Sequence, residues 1–349
     1  MLILRLKYPN LIRTRHICAL SLLALLDFNC FGQEQSNAIP LDHFYVKRDG
    51  PSVFRKILAN FHFGLYTGVG NTYLSNKLDG FGIYQAPGSQ PQLFTDGTGT
   101  TRYTNWVNDP GTDTSAPGNY IVANQGTANL GFKGNAFNIP LGLTLHYQYK
   151  DFRVGGGYSY ELMSIGALHP ISLADKISDF TPSSSSGFVR KYWFMAGYSF
   201  YRWEDYLFTG ELQVGSFKPK GNYSTSLVTP STFMNLGVKI ERPLSEYFKV
   251  YARPAFEIKS YDLQMPGGGQ SIAYSMNALY LTVGFTYSIP ELPRCFLKTC
   301  SAQVNHHHGN KEYRSNKHPI YKKQNPGYGE NDPTIIKYRG KNKRKLNPY

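Results

Sequence analysis

Two residue patterns in this chain are capable of chemistry. The first lies near the C-terminal end, where Cys295 and Cys300 precede three consecutive histidines, His306 to His308. Thiolate and imidazole are soft metal ligands, but two thiols separated by four residues also close a small disulfide loop. The spacing matches no standard zinc pattern, and thiols in an oxidising compartment pair with each other. The expectation is therefore a Cys295–Cys300 disulfide, with no metal and no cofactor. The second pattern is a set of charges spaced through the middle of the chain: Arg153, Glu161, Glu211, Lys239, Glu241, Arg253, Glu257 and Lys259. Each occupies the polar side of an alternating stretch, so together they are expected to meet as paired ions inside an enclosed space. Hydrolytic chemistry has less support. Ser, His and Asp occur in polar segments (His169, Asp175, Ser183), but Gly-x-Ser-x-Gly, His-Glu-x-x-His and phosphate-loop patterns are missing from the sequence, and no catalytic residue is expected.

The elements that must position these charges alternate with period two from about residue 57 to 289. In the clearest case Phe248, Val250, Ala252, Pro254, Phe256 and Ile258 share one face, while Lys249, Tyr251, Arg253, Glu257 and Lys259 share the other. Met234, Leu236, Val238 and Ile240 likewise oppose Asn235, Lys239 and Glu241. Leu279, Leu281, Val283, Phe285 and Tyr287 oppose Tyr280, Thr282, Thr286 and Ser288. Further upstream, Ile139, Leu141, Leu143 and Leu145 oppose Asn138, Thr144 and His146. In a small membrane barrel the apolar face meets lipid and the charges fill the interior.

Connections alternate between short and long, as in outer-membrane barrels. Lys150-Asp151, Arg202 to Asp205 and Pro243 to Glu246 are tight; 166–187, 218–231, 262–273 and above all 71–136 are long and polar. The count is eight strands, about 57–70, 137–149, 152–165, 188–200, 206–217, 232–242, 248–261 and 274–289. A hairpin within 71–136, from Phe81–Gln85 and Tyr120–Gln125, would make ten. The fold class expected is an all-β, antiparallel, up-and-down transmembrane barrel. An even number of strands puts both termini on the periplasmic side. An interior of eight strands is narrow enough to be filled by side chains, which argues against a diffusion porin. The last strand, Thr282-Val-Gly284-Phe-Thr-Tyr287-Ser-Ile289, resembles the signal by which outer-membrane assembly machinery recognises a final barrel strand.

Composition agrees. Aromatics are 15% of the 349 residues and charged residues only 17%. Past the N-terminal region no apolar run reaches the ~18 residues of a membrane helix. Residues 1–32 read as a signal peptide: Arg5, Lys7, Arg13 and Arg15 precede an apolar stretch from Ile17 to Leu26, with cleavage after Gly32. Residues 33–56 form a short periplasmic lead-in, 57–289 the barrel with its long external loop 71–136, and 290–349 a basic periplasmic tail. The charges divide the same way. Residues 1–32 carry +3 (four basic, one acidic), 33–289 carry +2 (20 basic, 18 acidic) and 290–349 carry +9 (13 basic, four acidic).

The tail is rich in Lys, Arg, Asn, Pro and Tyr and poor in aliphatics, so no fold of its own is expected for it. A loose echo runs through it: Lys322, Lys323 and Tyr328 around one Asn-Pro, then Lys341, Lys343, Arg344, Lys345 and Tyr349 around another. Cations for long-range attraction and tyrosines for anchoring suggest a docking element. The export signal excludes nucleic acid as its partner; a periplasmic protein or peptidoglycan is expected instead, with outer-membrane lipid around the barrel. The rival readings are a surface-binding barrel acting through 71–136 and a narrow channel or transporter accessory.

Tyr-interleaved strands such as Leu145-His-Tyr-Gln-Tyr149 and Gly156-Gly-Tyr-Ser-Tyr160 resemble the small outer-membrane barrels of Bacteroidetes, over roughly residues 57–289. Some of those are accessory subunits of type IX secretion and gliding machinery. The resemblance implies a non-enzymatic barrel anchoring a periplasmic assembly; the tail is not a feature that the resemblance covers.

Overall fold

A computed structural model describes residues 51–95, 101–114, 121–123, 129–224, 226–267 and 269–317. The first element among the described residues is not a strand but a short helix, α1 (Val53–Ala59), whose N-cap Ser52 side chain accepts a hydrogen bond from the Arg55 N–H. Strand β1 (Phe61–Lys77) follows. Five short strands come next: β2 (Phe81–Gln85), β3 (Gln92–Thr95), β4 (Arg102–Thr104), β5 (Gly111–Asp113) and β6 (Ile121–Ala123). Seven long strands then run as β7 (Phe132–Tyr149), β8 (Phe152–Pro170), β9 (Ser186–Trp203), β10 (Tyr206–Lys220), β11 (Ser231–Pro243), β12 (Phe248–Gln264) and β13 (Ser271–Ser288). The short pair β14 (His306–His308) and β15 (Lys311–Tyr313) ends the described chain.

Eight strands close into an antiparallel barrel in the order β1-β13-β12-β11-β10-β9-β8-β7. Closure is made by β1 pairing with both β13 and β7, with His62 opposite Ser288 on one side and His146 on the other. The barrel therefore begins and ends at one rim, called here the turn rim. Two of its turns, Lys150-Asp151 and Glu204-Asp205, open on residues in the left-handed region (φ 52° and 48°). The longer connections gather at the opposite loop rim. The segment expected as one external loop over 71–136 is shorter, because β1 continues to Lys77 and β7 already starts at Phe132. Strands β2 and β6 do pair, Tyr84 opposite Val122, but in a separate five-stranded sheet ordered β5-β4-β3-β2-β6. The wall thus has eight strands, not ten.

The barrel strands are 13 to 19 residues long, more than the ~9–11 that a tilted strand needs to cross a bilayer. The excess has a distinct character. On β13 the outward residues Leu279, Leu281, Val283 and Phe285 are exposed and apolar, while Tyr280, Thr282, Thr286 and Ser288 are buried inside. Toward the loop rim the polarity reverses: Ser271, Ala273, Ser275 and Asn277 point outward, and Ile272, Tyr274 and Met276 are buried. Strand β12 reverses between Ile258 and Ser260, with Tyr261 and Leu263 replacing Glu257 and Lys259 inside. The crossover falls on neighbouring rungs of four adjacent strands. Phe256 pairs with Leu279, Leu279 with Asn71 and Asn71 with Phe137; Tyr73 pairs with Asn135 one outward position on, and Ser260 with Ser275 two positions on.

A continuous exposed apolar surface needs an apolar solvent. From Leu279 to Tyr287 is eight steps, which at ~3.4 Å each and ~40° tilt makes a belt about 20 Å tall, close to the ~25 Å apolar band of outer-membrane barrels. Aromatics sit at its turn-rim edge: Tyr149, Phe152, Tyr201 and Trp203 are all exposed there. The chain is an eight-stranded transmembrane barrel whose strands continue past the bilayer on the loop side.

Candidate functional site: the filled interior

Inside the belt the alternation that exposes Leu and Val on the outer face turns every second side chain into the barrel interior. All eight charged residues singled out above lie there, each 6% exposed or less. Lys191 on β9 joins them, so five cations (Arg153, Lys191, Lys239, Arg253, Lys259) face four anions (Glu161, Glu211, Glu241, Glu257). Near the turn rim Arg153 pairs with Glu241, and Lys239 bridges Glu241 at 3.4 Å and Glu211 at 3.6 Å. The Arg253 Nε reaches Glu211 at 3.0 Å. Near the crossover Lys191 lies 2.6 Å from Glu257 and 2.8 Å from Glu161, and Lys259 lies 2.8 Å from Glu257. Asn235 ties the two groups together. It accepts from Arg253 at 2.7 Å and donates to Glu257 at 3.1 Å.

Neutral donors complete the set. Tyr280 donates to Glu161 at 2.7 Å and accepts from Lys259 at 3.0 Å; Asn138 also donates to Glu161 and accepts from Thr72 at 3.1 Å. Burying this many charges is tolerable only because nearly every one meets an opposite charge and further hydrogen bonds. Space is made by glycine: a Cβ on Gly237 would stand 2.7 Å from the Arg253 guanidinium carbon. Lys191 is the member that the alternation missed. Its strand carries Trp193 and Met195 inward and Tyr192 and Phe194 outward, so polarity does not alternate there.

Above the crossover the interior is apolar and is closed by the chain itself. Trp106 and Val107, from the segment between β4 and β5, are completely buried in the loop-rim mouth. The Trp106 ring packs 4.3 Å from Phe180 and 4.9 Å from Phe132, and its N–H donates to the Pro91 carbonyl at 3.1 Å. Two barrel tyrosines hold the inserted backbone: Tyr274 donates to the Trp106 carbonyl at 2.8 Å and Tyr261 to that of Val107 at 3.1 Å. Sequence reasoning gave these residues no role; a tryptophan within a Gly/Thr/Asn-rich stretch was the available sign. Of the residues weighed for hydrolysis, His169, near the end of β8, pairs with Asp179, not Asp175, at 2.8 Å on an exposed surface.

Beyond the turn rim, residues 293–317 have a structure of their own. The expected disulfide is not formed: Cys295 and Cys300 are free thiols. Each Sγ instead faces a histidine Nε2, Cys295 against His308 at 3.2 Å and Cys300 against His306 at 3.3 Å. The tail residues Lys322, Lys323, Tyr328, Lys341, Lys343, Arg344, Lys345 and Tyr349 lie outside the described residues, as does the signal segment 1–32.

No family model matches the chain, and no curated protein matches it. Among solved structures it is similar to outer membrane protein OprG from Pseudomonas aeruginosa, at 10% identity and TM-score 0.36 over 69% of this chain and 96% of that one. Neisserial surface protein A (9%, TM-score 0.31, 66% and 97%) and the outer membrane protease OmpT from Escherichia coli (14%, TM-score 0.29, 66% and 96%) are also matched. The barrel assignment rests on the strand register above, not on these likenesses.

Proposed function

We propose that this is a non-enzymatic, non-conducting outer-membrane barrel that anchors a periplasmic partner through its basic C-terminal tail. The observation that carries the reading is the double filling of the interior, by an ion network within the belt and by the Trp106 plug above it. Either layer alone obstructs passage, and neither sets a nucleophile beside a base. A barrel that uses its lumen for its own stability has its rims left for work.

The location supports the same reading. Short turns belong to the periplasmic side of such barrels and long loops to the outside, which would put the segment from residue 289 onward in the periplasm. That segment carries +9 (13 basic, four acidic). Lys341, Lys343, Arg344 and Lys345 supply attraction to an anionic surface, and Tyr328 and Tyr349 the local anchoring. The finer reading, an accessory of type IX secretion or gliding machinery of Bacteroidetes type, rests on the strand composition alone.

The test is co-purification from native membranes of the full chain, a chain ending at residue 317, and the triple charge reversal Lys343→Glu, Arg344→Glu, Lys345→Glu. The truncated chain keeps the whole barrel and should insert normally but lose its partner. The triple variant should match it at low salt, and wild-type binding should weaken as the Debye length falls from ~10 Å at 0.1 M to ~3 Å at 1 M. Retention of the same partners by the truncated chain contradicts the anchor reading and moves the binding site to the loop rim.

A further inference from the structure

We propose that residues 293–317 form a zinc-organised module, with Cys295, Cys300, His306 and His308 as its four ligands. The ligand atoms of these residues all lie within 4.8 Å of one another. The Sγ–Nε2 separations are 3.2 and 3.3 Å, and the two Nε2 atoms lie 3.1 Å apart. A tetrahedral zinc with Zn–S of ~2.3 Å and Zn–N of ~2.0–2.1 Å has ligand–ligand edges of about 3.3 to 3.8 Å. The close pairs need to open by a few tenths of an ångström and the widest to close by up to about 1 Å to admit the ion.

The backbone is arranged to hold this set. Strands β14 and β15 form a hairpin, His308 opposite Lys311, around a turn whose Gly309 is left-handed (φ 61°). Period two along β14 puts His306 and His308 on one face and His307 on the other. Cys295 is carried alongside β15, its N–H donating to the Arg314 carbonyl at 2.9 Å, and Cys300 closes a turn onto the Leu297 carbonyl at 3.2 Å. The histidine spacing looked wrong for zinc because His-x₃₋₅-His belongs to helices. On a strand, His-x-His presents two rings to one point.

Two further observations favour a cation over a ring of hydrogen bonds. The His306 Nδ1 lies 3.0 Å from the Val304 carbonyl, which only accepts, so the proton sits on Nδ1 and the Nε2 lone pair faces inward. The module also lacks an apolar core. Phe296 is 62% exposed, Val304 45% and Leu297 39%, leaving Cys295 as the one buried residue of hydrophobic type among them. A segment this small folds on a staple or a metal. Four protein ligands fill the coordination shell, so the ion is structural; the two thiols bind as thiolates and release their protons to solvent. The site does not depend on what the tail beyond residue 317 binds.

The experiment loads the full chain, purified under reducing conditions in detergent, with Zn²⁺ or with Co²⁺ as a spectroscopic substitute. The expected result is one zinc per chain after dialysis, and for Co²⁺ the intense visible bands of a tetrahedral site with thiolate charge transfer. Cys300→Ser and His308→Ala should each weaken zinc binding by more than about tenfold, since even outer-shell partners of such ligands are worth about 10–100-fold. His307→Ala, on the opposite face, should bind as wild type. Heat-dependent gel mobility reports that the barrel is intact in each variant. Zinc binding unchanged in both ligand variants would overturn the proposal. So would a Cys295–Cys300 disulfide, found by mass spectrometry in protein isolated without reductant, that persists when reductant and excess zinc are supplied.

Discussion

The two halves of the barrel are built from the same eight strands and are packed on opposite principles. In the belt, apolar side chains face out and ions face in; above the crossover, Ser and Asn face out and Trp106, Tyr274 and Met276 face in. The backbone does not change between them. What changes is the solvent outside, and the interior takes whatever composition that solvent leaves. The upper half is a water-soluble protein turned into a tube, stabilised by removing apolar surface from water. The lower half gains little from burying hydrocarbon, because its outside is hydrocarbon already. It holds together through charge pairs strengthened by a low dielectric and expensive to leave incomplete.

The comparison can be broken in each half. The largest effect belongs to the plug: Trp106→Ala should cost ~3–5 kcal/mol of unfolding free energy in detergent, as for other buried aromatics. Next, Glu257→Ala leaves Lys191 and Lys259 short of a partner and should cost ~3 kcal/mol by the same assay. Leu281→Arg, within the belt, should destabilise the barrel in lipid vesicles by about 2 kcal/mol or more, while Ser275→Arg on the same face above the crossover should change it by under about 1 kcal/mol. Equal effects would put both residues in one solvent. The smallest change is expected for Phe256→Ala, under about 1 kcal/mol, because lipid chains refill the space it leaves. A neutral Glu257→Ala together with a tolerated Phe256→Arg would mean that the two faces are reversed.

The belt was legible in the sequence because alternation is local: each strand states its own inner and outer face. The strand count followed from turns such as Lys150-Asp151. Strand length was not legible, since beyond Ile258 the alternation continues with its sign reversed and looks like loop. Ser260, Asp262 and Gln264 are polar, as loop residues are, yet they are the wet face of β12. The plug was hidden because Trp106 gains its meaning from Phe132, Phe180 and Tyr274, all distant in sequence. The Cys/His cluster was visible as composition, but its geometry was not, because the strand that sets His306 beside His308 is three residues long and too short to announce itself.

The reversal of polarity along one strand is tested most directly by measuring the solvent around it. A spin label attached through an unnatural ketone side chain, which leaves the cysteines untouched, can be placed in turn at positions 271, 273, 275, 279, 281 and 283 of β13. In lipid vesicles the accessibility to oxygen should exceed that to a water-soluble nickel chelate at 279, 281 and 283. The order should invert at 271, 273 and 275. High nickel accessibility at all six positions would mean that the strand has water along its whole outer face, and that the barrel does not span a membrane.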